Sequence, residues 1–204
     1  MNIVIPARRN SKGLPFKNRK LLEYTLKTIP RDLVSSTIIS TDDEEIVSIG
    51  IKSGYKIHNR SEYSSRDEAA TKEIMEEVVR DMELTGPIVM LYLTYPKRTW
   101  KDVENAYYWF LMNNAKSMLC KEEIETHPFM CLYELPGNKG GQVVTNDLYR
   151  RQDYPKCFRF CHMVSIFDAE ELKDLNKNLY NQDTIYYNIE HSLDIDNKED
   201  FKCI

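Results

Sequence analysis

The stretch Met1-Asn-Ile-Val-Ile-Pro-Ala-Arg-Arg-Asn-Ser-Lys-Gly-Leu-Pro-Phe-Lys-Asn18 opens the chain and decides its fold class. The apolar run Ile3 to Ile5 has the composition of a strand buried on both faces. It breaks at Pro6 into a polar loop carrying Arg8, Arg9, Lys12 and Lys17, with a single glycine, Gly13. Open α/β sheets present their ligand sites at the carboxyl ends of strands. Backbone N–H groups in such a loop bind anions, and Lys and Arg add the charge, so the stretch predicts a polyphosphate site. The loop is neither G-x-x-x-x-G-K-[ST] nor G-x-G-x-x-G. On charge alone, a solvated surface loop remains an open reading.

Downstream, apolar runs and helical patterns alternate, which predicts a layered α/β fold with a mostly parallel sheet. Helices are expected at Leu21 to Ile29, Asp42 to Ser53, Asp67 to Leu84 and Lys101 to Met112, and strands at Thr37 to Ser40, Tyr55 to Ile57, Pro87 to Leu93 and Ser117 to Cys120. From about Glu122 to Phe160 the helical rhythm stops. Gly137, Gly140 and Gly141 mark turns there, and Val143-Val144 reads as a short strand. Met163 to Phe167 reads as the return to the sheet, followed by a short helix at Ala169 to Leu175, a last strand at Thr184 to Ile189 and a final helical turn at Asn197 to Cys203.

The composition bounds the function classes. A chain of 204 residues with 42% apolar and 11% aromatic content is expected to form one full-cored domain, spanning 1–204. A net charge of −4 excludes a general nucleic-acid binder and makes any basic cluster local. No apolar run reaches the roughly 20 residues of a membrane span, and no signal peptide is visible. Five cysteines without a CxxC pair read as reduced thiols in a cytoplasmic compartment. Cys157, Cys161 and His162 lack a standard zinc spacing.

Near the far end, Ser192-Leu193-Asp194-Ile195-Asp196 places Asp194 and Asp196 on one face and turns Ile195 into the core. Paired carboxylates repel unless a cation lies between them. Mg²⁺ suits them, with oxygen ligands at about 2.0–2.1 Å and waters and substrate phosphates completing the shell. A turn with two solvated aspartates is the alternative.

The order of residues from Ala7 to Asn18 resembles the signature loop of the sugar-activating cytidylyltransferases. Its nearest branch is the acylneuraminate cytidylyltransferases, or CMP-sialic acid synthetases, with the 3-deoxy-manno-octulosonate (Kdo) enzymes more distant. Asp194-Ile195-Asp196-Asn197-Lys198-Glu199-Asp200-Phe201 is similar to that family's closing motif. Asn59-Arg60-Ser61-Glu62-Tyr63 resembles its Arg-Pro-x-x-Leu segment, and Arg151-Gln152-Asp153-Tyr154-Pro155-Lys156-Cys157-Phe158-Arg159 its Arg-Gln-x-x-Pro-x-x-Phe-Arg segment.

The resemblance implies a three-layer Rossmann-like nucleotidyltransferase fold and Mg²⁺-dependent transfer of CMP from CTP to an acidic, sialic-acid-like sugar. It implies catalytic roles for Arg8 and Lys17, and nucleotide contacts from Ala7, Arg8, Ser11, Lys12, Lys17, Asn18, Arg60 and Thr71. Sugar contacts fall to Tyr92, Arg151 and Arg159, and metal ligation to Asp194 and Asp196. The excursion from 122 to 160 is implied to build a homodimer interface and reach over the partner's site.

The acceptor side departs from the family. Its usual glutamine is Tyr92, an Asn-Gly pair is Cys161-His162, and a lysine after His127-Pro128 is Met130. A changed acceptor follows, or a non-catalytic nucleotide-binding or interaction protein on the same scaffold.

Overall fold

The computed structural model describes residues 1–10, 14–190 and 192–204; the expectations for Ser11 and Lys12 lie outside the described residues. The opening run forms β1 (Asn2–Pro6), followed by α1 (Lys17–Leu26), β2 (Thr37–Thr41), α2 (Glu44–Lys52) and β3 (Lys56–Asn59). A single turn, α3 (Glu62–Ser65), leads to α4 (Thr71–Asp81), β4 (Pro87–Met90), α5 (Trp100–Met112) and β5 (Ser117–Glu123). A hairpin, β6 (Leu132–Leu135) and β7 (Lys139–Gln142), precedes β8 (Phe158–Asp168) and β9 (Ile185–Asn188).

Seven strands make the main sheet in the order β3-β2-β1-β4-β8-β5-β9. Pairing is parallel except at β8, which runs antiparallel to both its neighbours. Alternation sorts the side chains into two cores. Ile3, Ile5, Ile39, Val89 and Leu91 pack with Leu21, Leu22, Ile46 and Phe110 from α1, α2 and α5. Val4, Ile38, Ile88 and Met90 face the other way, against Ile74, Met75 and Val78 of α4. Helices therefore cover both faces, the expected condition for a largely parallel sheet. Full burial of a side chain such as Met75 contributes on the order of 1.5–3 kcal/mol. At Gly50 in α2, an added Cβ would lie 2.6 Å from Ile57 Cδ1, so a bare backbone sets how closely α2 approaches the sheet.

Several expected boundaries are corrected. The helix expected over Asp67 to Leu84 begins only at Thr71, because Ala70 holds an extended backbone (φ −70°, ψ 152°) and Glu73 accepts from the Ala70 amide at 2.9 Å. The four residues from Asp67 to Ala70 run instead as a non-helical link. The first helix starts four residues earlier than its apolar spacing implies, at Lys17, after Phe16 turns in a left-handed conformation (φ 54°). Val143-Val144 is not a strand: the hairpin pairs Leu132 with Gln142 and Leu135 with Lys139, and Val143 only donates to Cys131 O at 3.0 Å. The return strand is eleven residues long rather than five, since β5 extends to Glu123 and pairs with it out to Phe158. The expected helical turns at Ala169 and near the terminus are 3-10 turns, Ala169–Asp174 and Asp200–Cys203.

Candidate active site

β1 lies between β2 and β4, so the chain crosses to opposite sides of β1 and leaves a crevice at the carboxyl ends of β1 and β4. A cavity of about 250 Å³ opens there, lined by Arg8, Lys17 and Asn18 from the first loop, Arg60 after β3, Thr71 of α4, and Tyr92 and Thr94 after β4. Five of the residues expected at the nucleotide are thus gathered in one place.

The two ends of the sequence meet at Lys17. This lysine is 9% exposed, and its Nζ donates to Ile195 O at 2.8 Å and to Asp196 Oδ1 at 3.3 Å. Ile195 is fully buried and its amide donates to Thr94 O at 2.8 Å. The alternation read from the sequence therefore holds although the segment is not a strand: Ile195 faces the core, and Asp194 and Asp196 turn away from it. Asp200 fixes the turn that follows, its Oδ2 accepting from the amides of Asp196 at 2.8 Å and Asn197 at 2.9 Å.

The two aspartates differ. Asp194 Oδ2 accepts from the Tyr95 hydroxyl at 2.8 Å, while its Oδ1 is buried without a hydrogen-bond partner among the described residues. Burial raises the Asp194 pKa, and the Asp196 charge adds to that; Lys17 and the Thr94 and Tyr95 hydroxyls oppose it. Asp196 is largely exposed. A buried carboxylate oxygen without a well-formed hydrogen bond, next to a second carboxylate, is a donor set that fits a hard divalent cation.

Each cation of the first loop has its own setting. Arg8 Nη1 pairs with Asp67 Oδ1 at 2.5 Å, and the Arg8 carbonyl accepts from Asn18 Nδ2 at 2.8 Å. The Ala7 amide donates to Ser40 O at 2.8 Å, so Ala7 lies at the loop root with its N–H already used. Arg60 is buried, and burial lowers its pKa to about 10. The Thr71 hydroxyl lies 2.6 Å from the Tyr92 hydroxyl, and the Tyr92 ring stands edge-on to His162 with centroids 5.5 Å apart. Burial lowers the His162 pKa to about 4, leaving a neutral ring near neutrality.

The remaining sugar-side residues are not brought to this cavity within one chain. Arg151 lines a separate concavity of about 290 Å³ in the excursion, with His127, Met130 and Tyr154. Arg159 is ion-paired with Glu122, which also accepts from the Ser192 amide at 2.9 Å. Sequence reading missed a second, larger cavity of about 530 Å³ on the far side of the Asp194 segment, lined by Tyr95, Lys97, Arg98, Met163 and Ser192. It also missed Arg98 as a buried strut, donating to Tyr92 O at 2.9 Å and Met163 O at 2.8 Å. A cation two residues after a proline at a strand's end carries no signal of burial. Arg66, Asp67 and Ala69 line the smaller cavity because the link before α4 is not helical.

The model of the cytidylyltransferase family matches residues 2–203. An N-acylneuraminate cytidylyltransferase of Streptococcus agalactiae serotype III is 27% identical over 97% of this chain, which spans only about half, 51%, of that relative's length. Post-translational flagellin modification protein B of Campylobacter coli is 26% identical over 98% of this chain and 91% of its own. A pseudaminic acid cytidylyltransferase of Campylobacter jejuni is 26% identical over 76% and 72%. Among solved structures, a CMP:2-keto-3-deoxy-manno-octonic acid synthetase complexed with CTP superposes with a TM-score of 0.70 at 13% identity, covering 99% of this chain and 95% of its own. That likeness establishes the nucleotidyltransferase fold.

Proposed function

This chain belongs to the cytidylyltransferase family, and from that membership we propose that it transfers CMP from CTP to an acidic sugar of the nonulosonic class, with Mg²⁺ as cofactor. The acceptor hydroxyl oxygen attacks the α-phosphorus, the bond to the bridging oxygen breaks, and pyrophosphate leaves. Catalysis of this kind depends on positioning and charge stabilisation. The observation that carries the reading is the Lys17 bridge: one ammonium, held by Ile195 O and Asp196, joins the basic loop to the acidic pair at the mouth of a cavity lined by three arginines, Arg8, Arg60 and Arg66. Lys17 and Arg8 neutralise phosphate oxygens, and Asn18 fixes the loop through Arg8 O. The unpartnered Asp194 Oδ1 and the exposed Asp196 would hold the cation. When bound, Mg²⁺ supplies charge neutralisation and lowers the pKa of a coordinated hydroxyl.

The acidic-sugar assignment draws on relatives named for N-acylneuraminate and pseudaminic acid. A changed acceptor within that class is favoured by one feature: the Tyr92 hydroxyl is taken by Thr71 and its ring by His162. Homodimerisation is supported by the exposed apolar residues of the excursion, Leu132 (65% exposed), Tyr133 (54%) and Tyr149 (96%). Arg151 then serves the acceptor of the neighbouring copy. No helix among the described residues is long and apolar enough to cross a membrane. Five free thiols support a cytoplasmic site of action.

Pyrophosphate release from CTP and Mg²⁺ tests the reading, with nonulosonic acids and Kdo as acceptors and UTP, ATP and GTP as controls. Release with CTP and one such sugar is expected. CTP stabilisation without release from any acceptor supports the binding-only alternative, and neither release nor stabilisation contradicts the nucleotide reading.

A further inference from the structure

One wall of the nucleotide cavity is a guanidinium whose outer edge nothing in the protein holds. Arg60 Nε donates to Ser40 O at 3.1 Å and Ser40 Oγ at 3.2 Å. Its two terminal amino groups make no hydrogen bond among the described residues, although the side chain is only 9% exposed and lines the cavity. Donors that open into a cavity in this way are placed to meet a base carbonyl or phosphate oxygen of a nucleotide.

Behind Arg60 runs a line of polar groups, buried at Ser40, His58 and Glu77 and opening to solvent at Asp81, that the proposed chemistry does not use. Ser40 and His58 are register partners on β2 and β3, so their side chains share one face. Ser40 Oγ lies 3.0 Å from His58 Nδ1, and both residues are almost wholly buried. His58 Nε2 lies 3.3 Å from Asp81 Oδ2 and 3.8 Å from Glu77 Oε1, two carboxylates one turn apart on α4. Burial raises the Glu77 pKa, but the hydrogen bonds from the Ser61 hydroxyl and amide outweigh it and hold the carboxyl below its usual range. The Asp81 carboxyl is held below its usual range by hydrogen bonds from Arg80 and His58.

The direction of the line follows from proton counting. Ionised carboxylates only accept, so Nε2 carries the ring hydrogen and donates to Asp81. Nδ1 then offers a lone pair, to which the Ser40 hydroxyl donates. The Ser40 oxygen accepts in turn from Arg60 Nε. A second hydrogen on Nδ1 would leave the Ser40 hydroxyl hydrogen without an acceptor in this line. One tautomer satisfies every group.

We propose that His58 and Ser40 are positioning residues that set the affinity for CTP and the preference for its base by locking the orientation of Arg60. The inference rests on the CTP reading above. Ser40→Ala and His58→Leu break the line at successive points. Each is expected to raise the KM for CTP about tenfold, the scale of one hydrogen bond to a charged group, and to erode the CTP-over-UTP preference by a similar factor. Turnover at saturation is expected to stay within about threefold, since neither residue touches the reacting atoms. His58→Asn, whose side-chain oxygen can take the place of Nδ1 as acceptor, is expected to recover most of the lost preference. A role confined to stability would instead lower the melting temperature and leave the KM and base preference of the folded enzyme unchanged. That result for Ser40→Ala, or a His58→Asn no better than His58→Leu, overturns the proposal. Nitrogen NMR of the histidine rings gives a readout that needs no activity. The expected signature is an Nε2-protonated His58 whose Nδ1 signal shifts on Ser40→Ala; an Nδ1-protonated ring overturns the proposal even if CTP binds. A wild-type chain that binds no CTP contradicts the function proposed above, and the ring signature then still decides whether the line is wired as described.

Discussion

The nucleotide side of the site is closed by bonds within one chain, whereas the acceptor side is left open by it. On the first side, Lys17, Arg60 and Thr71 each have a fixed partner drawn from another part of the sequence, and Asn18 ties the first loop to itself through Arg8 O. On the second, Arg151 lies in an exposed excursion whose hairpin strands contribute no residue to either main core. Charged groups that must meet a triphosphate are preorganised at the ends of buried strands. Arg151, proposed to meet the variable acceptor, sits in the exposed excursion after the hairpin, where replacement disturbs little packing. The departures from the family do not all follow this division: Met130 lies in the excursion, whereas Tyr92 lines the nucleotide cavity and Cys161 is buried in a main core.

The largest effect expected from breaking this contrast is at Lys17. Lys17→Ala removes the ammonium that joins the basic loop to the acidic segment, and kcat is expected to fall by about 10²–10³, the scale of one preorganised donor. Steady-state pyrophosphate release measures it; turnover near the wild-type value would contradict the role. Asp196→Asn is expected to raise the Mg²⁺ concentration for half-maximal activity and lower activity together, read from a metal titration. An unchanged titration would remove Asp196 from the ligand set. Arg151→Ala sharpens the contrast from the other side. It is expected to raise the KM for the sugar about tenfold and leave that for CTP unchanged, the cost of one carboxylate contact.

The smallest effect concerns the scaffold. Asp43 caps α2, accepting from the amide of Glu45 at 3.0 Å. Burial raises its pKa, but the Arg19 hydrogen bond and the helix amides outweigh burial, and the carboxyl titrates below its usual range. With the folded value depressed, this contribution is fully present above the unfolded pKa of about 3.9 and is lost as pH falls through the folded value. Asp43→Ala is expected to cost about 1 kcal/mol, a fall of about 2–4 °C in Tm at pH 7, with a smaller difference at pH 3, by thermal melts.

Much of this architecture was legible in the residues, for physical reasons. Ile3 to Ile5, a short apolar run broken by Pro6, reads as a strand buried on both faces, and the alternation Asp194-Ile195-Asp196 fixes which side chain enters the core whatever the local pairing. The extent of α4 was not legible, because apolar spacing from Ile74 to Met82 says nothing about the extended backbone at Ala70. The hairpin was not legible, and a short strand is expected at Val143-Val144 instead, since the hairpin strands, Leu132–Leu135 and Lys139–Gln142, lie outside the core and lack a buried face to set a pattern. The line from His58 to Arg60 was invisible for a different reason. It depends on the register of β2 on β3 and on which face of α4 packs above them, and both are tertiary facts.

On the proposed function, one copy of the chain suffices for the nucleotide while the acceptor needs the excursion of a second. Calorimetric titration of CTP and Mg²⁺ into a Leu132→Asp/Tyr149→Asp variant, checked as monomeric by sedimentation against a dimeric wild type, tests it most directly. Wild-type CTP affinity at one site per chain, with pyrophosphate release lost, is the predicted result. A monomeric, folded variant that binds no CTP, or one that turns over at the wild-type rate, would contradict it.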